Sequence, residues 1–141
     1  MSTPLRRVTT LDDAADAPLA ICPATRAELL SVYRIEQQCF PQPWPYTAFE
    51  HHLDAVAFLL GKRAGRVVGY VVGDLEEGFP GPGGHIKDLA VRPAFRRQGV
   101  ARQLLSRALC DLDEAGAVRA ELEVRRGNGA ARALYREFGF E

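Results

Sequence analysis

The sequence predicts an α/β domain on a mixed, mostly antiparallel sheet, and three patterns point to it. Val56 to Leu60, Val67 to Leu75 and His85 to Val91 are strand-like runs separated by turn residues, which makes a meander. From Gln98 the period changes to helical, with Val100, Leu104, Ala108 and Leu112 recurring every four residues. Val118 to Val124 then alternates as a strand, so a helix lies between two strands, and such a crossover joins parallel neighbours.

The elements follow in order. Residues 1 to 17 are polar, acidic and short of large apolar groups, and read as a flexible leader to a single domain over 18–141. Leu19 to Cys22 is a first strand stopped by Pro23. Thr25 and Glu28 have capping-box spacing ahead of a helix bearing Leu29, Leu30, Tyr33 and Ile35 to Cys39. Pro41, Pro43 and Pro45 break the chain around Trp44, and a short helix runs from Tyr46 to Leu53. Arg63-Ala64-Gly65-Arg66 is turn-like, and Glu76 to Gly84, with four glycines and two prolines, is a loop. Gly116 stops the long helix. Asn128 caps a last helix with Ala131, Leu134, Tyr135 and Phe138 on one face, and Gly139 ends it.

Bulk composition narrows the function. At 141 residues, 47% hydrophobic and 26% charged, the chain suits one ordinary globular domain. Lys plus Arg equal Asp plus Glu at 18 each, which speaks against direct nucleic-acid binding. Cys22, Cys39 and Cys110 are few and widely spaced, without metal-ligand spacing, so neither a disulfide framework nor a metal site is expected. No run approaches the ~18 apolar residues of a membrane span. The two N-terminal arginines precede no hydrophobic region, so no secretory signal is read and the expected setting is cytoplasmic.

The strongest chemical signal lies between strand and long helix, at Arg96-Arg97-Gln98-Gly99-Val100-Ala101. A helix N-terminus leaves backbone N–H groups unpaired and carries about half a positive charge. Gly99 and the small Ala101 let an anion approach the main chain, and Arg96, Arg97 and Arg102 add counter-charge, so a diphosphate site is expected. The segment is neither GxxxxGK[ST] nor GxGxxG.

Arg96 to Ala101 matches [QR]xxGx[GA]. With Leu89-Ala90-Val91-Arg92-Pro93 before it, Leu122-Glu123-Val124-Arg125 and Asn128 after it, and Ala133 to Phe140 at the end, the chain resembles the GNAT superfamily of N-acetyltransferases over residues 18–141. Cys39-Phe40-Pro41 with Pro43-Trp44 resembles its RimI-type branch, which acetylates protein N-terminal amines. The resemblance implies acetyl-CoA as cosubstrate and a GNAT fold, with helices on both faces of the sheet and a splayed parallel strand pair. It implies that Leu89-Ala90-Val91 binds the cofactor, the pantetheine arm pairing with the main chain of Leu89 and Val91, and that Asn128 touches the same arm. Family members continue past the final GFE segment with two more strands, whereas this sequence ends at Glu141.

The strand carrying Leu89 breaks phase. Ile86 starts an alternation that Leu89 and Val91 resume on the other parity, which predicts a bulge near Asp88-Leu89. Acetyl transfer needs a base for the amine and a donor for the leaving thiolate. Glu123 is the first candidate base by resemblance to RimI-type enzymes. Glu121, on the same face at period two, competes, and His85 at the start of the bulged strand is a second possible base. Tyr135, on the inner face of the last helix, is the candidate acid, the role of the matching family tyrosine. His51 and His52 read as a solvated helix end. Phe40 and Pro41 are expected to wall the acceptor groove, Trp44 to pack in the core, and the glycine-rich loop to edge the groove, with Glu76 and Glu77 drawing in a positive N-terminus.

The expected activity is acetylation of a protein's N-terminal α-amine, a ribosomal protein for example, by direct attack in a ternary complex. Small-amine acetylation and an acetyl-CoA-binding module without catalysis are the alternatives. Oligomeric state is left open.

Overall fold

The computed structural model describes residues 17–123 and 129–140. The predicted leader therefore lies outside the described residues except for its last position, and so does Asn128. One sheet holds five strands in sequence order: β1 (Leu19–Pro23), β2 (Ala57–Arg63), β3 (Arg66–Glu76), β4 (Gly83–Val91) and β5 (Ala120–Leu122). β1 to β4 pair antiparallel, and β4 pairs with β5 parallel. The helices are α1 (Leu29–Cys39), α2 (Tyr46–His51), α3 (Val100–Glu114) and α4 (Gly129–Glu137). Strands and helices follow the predicted order.

Each face of the sheet has its own core. Leu29, Val32, Ile35 and Phe49 of α1 and α2 pack on Phe58, Leu60, Tyr70 and Val72. Leu104, Leu105, Ala108 and Leu112 of α3, with Tyr135 of α4, pack on Leu59, Val71 and Ile86. Val71 and Val72 thus serve opposite cores, as successive strand residues must. Strands covered on both faces lose their polar alternation, which is why β2 and β3 read as nearly continuous apolar runs.

The β2–β3 turn is a two-residue hairpin loop. Ala64 and Gly65 both have positive φ (50° and 77°), and Arg63 pairs with Arg66. Two positive φ values in a row match the twist of the flanking strands. Thr25 N–H donates to Glu28 Oε1 at 3.2 Å, but the first turn, Arg26–Glu28, is 3-10 rather than α-helical. The last turn of the second helix tightens likewise, into a 3-10 turn at His52–Asp54.

The glycine-rich connection is shorter than the sequence implies. β3 runs through Glu76 and β4 starts at Gly83. The two residues before β5 tie the connection down: Arg119 Nη1 donates to the Gly81 carbonyl at 3.1 Å, and Val118 N–H to that of Pro82 at 2.9 Å.

The phase break in β4 is a bulge centred on Lys87. Gly73 pairs with Ile86 but Val72 pairs with Asp88, leaving Lys87 as the extra residue. This is one position before the expected Asp88-Leu89. Its consequence is the one anticipated: Ile86, Leu89 and Val91 all face the α3/α4 core, while Ala90 faces the α1/α2 core. Among the described residues, parallel pairing with β5 stops at Ile86↔Leu122, just before the bulge. Beyond it, β4 continues to Val91.

Candidate active site

The first turn of α3 lies beside the C-terminal end of β4. Gly99 is the N-cap residue with φ 80°, and no side chain caps the helix. The first helical hydrogen bond is Gln103 N–H to the Gly99 carbonyl at 3.0 Å. The N–H groups of Val100, Ala101 and Arg102 therefore point out of the helix end without an acceptor from its own backbone or from a capping side chain. A Cβ on Gly99 would meet nothing within 4 Å, so the space above it is open, but its left-handed φ disfavours any other residue. Arg97 also sits at positive φ (62°), a strained conformation for a side chain with a Cβ. A bare helix start, open space and exposed arginines fit a diphosphate.

The three arginines differ in placement. Arg96 turns inward, Nε 3.3 Å from the Val91 carbonyl and Nη2 3.4 Å from Cys39 Sγ. Arg102 pairs with Glu137 of α4 at 2.5 Å. Arg97 and Gln98 are exposed.

Protein groups already meet the edge of β4 past the bulge. Leu89 N–H donates to Asp88 Oδ1 at 3.0 Å. The Val91 carbonyl accepts from Cys39 Sγ at 3.4 Å as well as from Arg96. Burial raises the Cys39 thiol's pKa, with Arg96 opposing, so the thiol remains a donor at neutral pH.

Two cavities flank this edge. One, of about 640 Å³, is lined by the α3 start, Leu89 to Val91, Phe95 and Pro41. The other, of about 610 Å³, is lined by Trp44, His52, Glu76, His85, Asp88 and Glu123. They share four lining residues, Phe40, Leu89, Ala131 and Tyr135. Each is of a size that holds a small molecule or a few residues of peptide. A bare helix start flanked by arginines and a carboxylate–imidazole end thus open onto one junction.

Tyr135 stands at that junction. It is buried, and burial, reinforced by the charge of Asp88, pushes its phenol up to about 12. The hydroxyl therefore keeps its proton at neutral pH and can donate it. His85 lies in the second cavity between two carboxylates. Its Nδ1 is 2.8 Å from Glu76 Oε1, and its Nε2 is 3.8 Å from Glu123 Oε1. Glu121 pairs with His85 in the strand register, yet its side chain turns to Arg119 at 3.8 Å and lines neither cavity.

Sequence reasoning undervalued two residues here. His52 is half-buried rather than solvated: it stacks on Trp44 with ring centroids 5.2 Å apart and lines the cavity. Glu76, a loop charge by sequence pattern, is the last residue of β3 and bonds directly to His85. Trp44 is only partly core: it packs on Phe49 while presenting another edge to the cavity. The signal for Glu76 was register, since Asp74 pairs with His85 and Glu76 with Gly83 across the same two strands.

Comparisons place the chain among known proteins. The Acetyltransferase (GNAT) family model matches residues 29–140. An N-alpha-acetyltransferase of Sulfolobus acidocaldarius is 36% identical over 128 residues, 83% of this chain and 76% of that one. The [Ribosomal protein bS18]-alanine N-acetyltransferase of Escherichia coli strain K12 is 34% identical, over 80% of this chain and 74% of that one. N-alpha-acetyltransferase RimI of Mycobacterium tuberculosis is 36% identical, over 88% and 79%. Among solved structures, Ard1 from Thermoplasma volcanium superposes with a TM-score of 0.80 at 28% identity, over 87% of this chain and 82% of that one.

Proposed function

The chain belongs to the GNAT family of N-acetyltransferases, and from that premise we propose that it acetylates the N-terminal α-amine of a protein, a ribosomal protein among the candidates, with acetyl-CoA as donor. One observation carries this reading. The anion-binding end at α3 and the carboxylate–imidazole end at β4 open onto one junction walled by Phe40, Leu89, Ala131 and Tyr135. A thioester and an amine held from opposite ends meet there, and holding them together is itself a large part of catalysis.

The backbone of Gly99 to Arg102 holds the diphosphate, with Arg96, Arg97 and Gln98 around it. Leu89 to Val91 line the path of the pantetheine arm. Asn128 is assigned to the same arm from the sequence alone. Acetyl-CoA, when bound, supplies the thioester carbonyl that the amine attacks. Glu123 and His85 share the cavity on the amine's side, and one of them takes its proton. An α-amine, with a pKa near 7.7–8.0, needs little help to lose it at neutral pH. Tyr135 gives its proton to the departing sulfur, a role that needs a neutral phenol.

Phe40 lines both cavities and Pro41 the first, so the loop after α1 can guide an extended peptide towards the junction. That loop favours a protein acceptor over a small amine. The three free thiols suit a reducing, cytoplasmic setting. The test is mass spectrometry of a peptide panel, ribosomal-protein N-termini included, alongside polyamines and aminoglycosides. Acetylation confined to peptide α-amines supports the reading; acetylation of the small amines alone overturns it.

A further inference from the structure

We infer that Glu76 is a positioning residue that fixes the tautomer of His85, so that Nδ1 carries the proton and Nε2 presents its lone pair to the acceptor cavity. The inference rests on the proposed function for its chemical meaning, but not for its geometry.

The two carboxylates beside His85 are unequal. Glu76 Oε1 is within hydrogen-bond distance of Nδ1 at 2.8 Å, whereas Glu123 Oε1, at 3.8 Å from Nε2, is beyond it. Glu76 is also the better anchored. Its side chain is 48% exposed against 82% for that of Glu123, and Lys87 Nζ lies 4.0 Å from the same oxygen that meets His85. A carboxylate can only accept, so the ring nitrogen facing it must be an N–H. A neutral imidazole carries one N–H, which makes the other nitrogen, Nε2, the acceptor.

The backbone explains why Glu76 and not another acid has this place. Glu76 closes β3 and His85 lies near the start of β4, two rungs in from the Glu76↔Gly83 pair, on the ordered side of the Lys87 bulge. Both residues sit on paired strand, so the contact is set by register rather than by loop conformation. Glu123 follows the last paired residue of β5. The arrangement is a strand-borne acid behind the imidazole and a more solvent-exposed acid in front of it. A proton taken from the amine at Nε2 would therefore be stabilised from behind by Glu76.

Nitrogen-15 NMR of the histidine rings in the full chain reads this directly. With the imidazole neutral, the wild type should show the Nδ1–H tautomer. Glu76→Ala should move the ring towards Nε2–H, the form preferred by free histidine, and lower kcat for a peptide acceptor about ten- to hundredfold while leaving the dissociation constant for acetyl-CoA within twofold. An Nε2–H tautomer in the wild type overturns the inference, as does an unchanged tautomer in Glu76→Ala. The wild-type spectrum decides even if the variant does not fold. A chain with the Nδ1–H tautomer that acetylates no peptide sinks the proposed function alone; an active enzyme with Nε2–H sinks this inference alone.

Discussion

The carboxylate of Glu36, fully buried under α1, accepts the backbone N–H of Trp44 at 3.2 Å. Its other oxygen takes the hydroxyl of the buried Tyr70. A strand in the middle of the sheet is thereby tied through one side chain to the loop that walls both cavities. Truncation as Glu36→Leu takes the acceptor from the buried Tyr70 hydroxyl and the part-buried Trp44 N–H, and should cost about 2–4 kcal/mol in denaturant unfolding. Glu36→Leu combined with Tyr70→Phe should lose less than Glu36→Leu alone, because one orphaned donor is removed with it. A double variant no better than the single one would contradict this.

At Gly99 the constraint is backbone conformation. A left-handed φ costs a residue with a Cβ roughly 1–2 kcal/mol, so Gly99→Ala should lower stability by about that much. Gly99→Glu should add a negative charge where the diphosphate is expected and weaken acetyl-CoA at least tenfold by calorimetric titration. Unchanged affinity in a folded Gly99→Glu variant would show that the helix start is not the cradle.

Tyr135 gives a pH signature. Its phenol, raised from 10.0 to about 12, holds its proton more tightly in the fold than in the unfolded chain. Between those values the folded state binds more protons, so stability falls as pH rises through that window and is unaffected by this group below it. Burial raises the phenol of Tyr70 in the same direction. Tyr135→Phe should flatten part of the alkaline loss measured by unfolding at stepped pH. The same variant should lower kcat by about 10²–10⁴ if the hydroxyl protonates the leaving sulfur, with acetyl-CoA binding little changed.

Glu121 and Glu123 separate by placement. Glu123 lines the acceptor cavity and Glu121 turns to Arg119 outside it. Steady-state rates with a peptide acceptor should fall at least tenfold in Glu123→Gln and stay within about twofold in Glu121→Gln. The reverse order would move the base to the other carboxylate.

The sequence alone determined the element order, the hairpin, the flip of phase in β4 and the bare start of the long helix at Gly99. These are local properties. Periodicity reports which face a residue serves, and a glycine before a helical repeat reports where a bare N-terminus stands. Tertiary structure decided which polar side chains meet. Glu76 meets His85 because the β3–β4 register brings their side chains together. Glu36 reaches both Tyr70 and Trp44 because α1 lies across β3. Glu121 and Glu123 share a strand parity, yet only one faces the cavity. Register, bulge position and helix placement come from packing the two cores on one twisted sheet, and no stretch of sequence encodes that sum by itself.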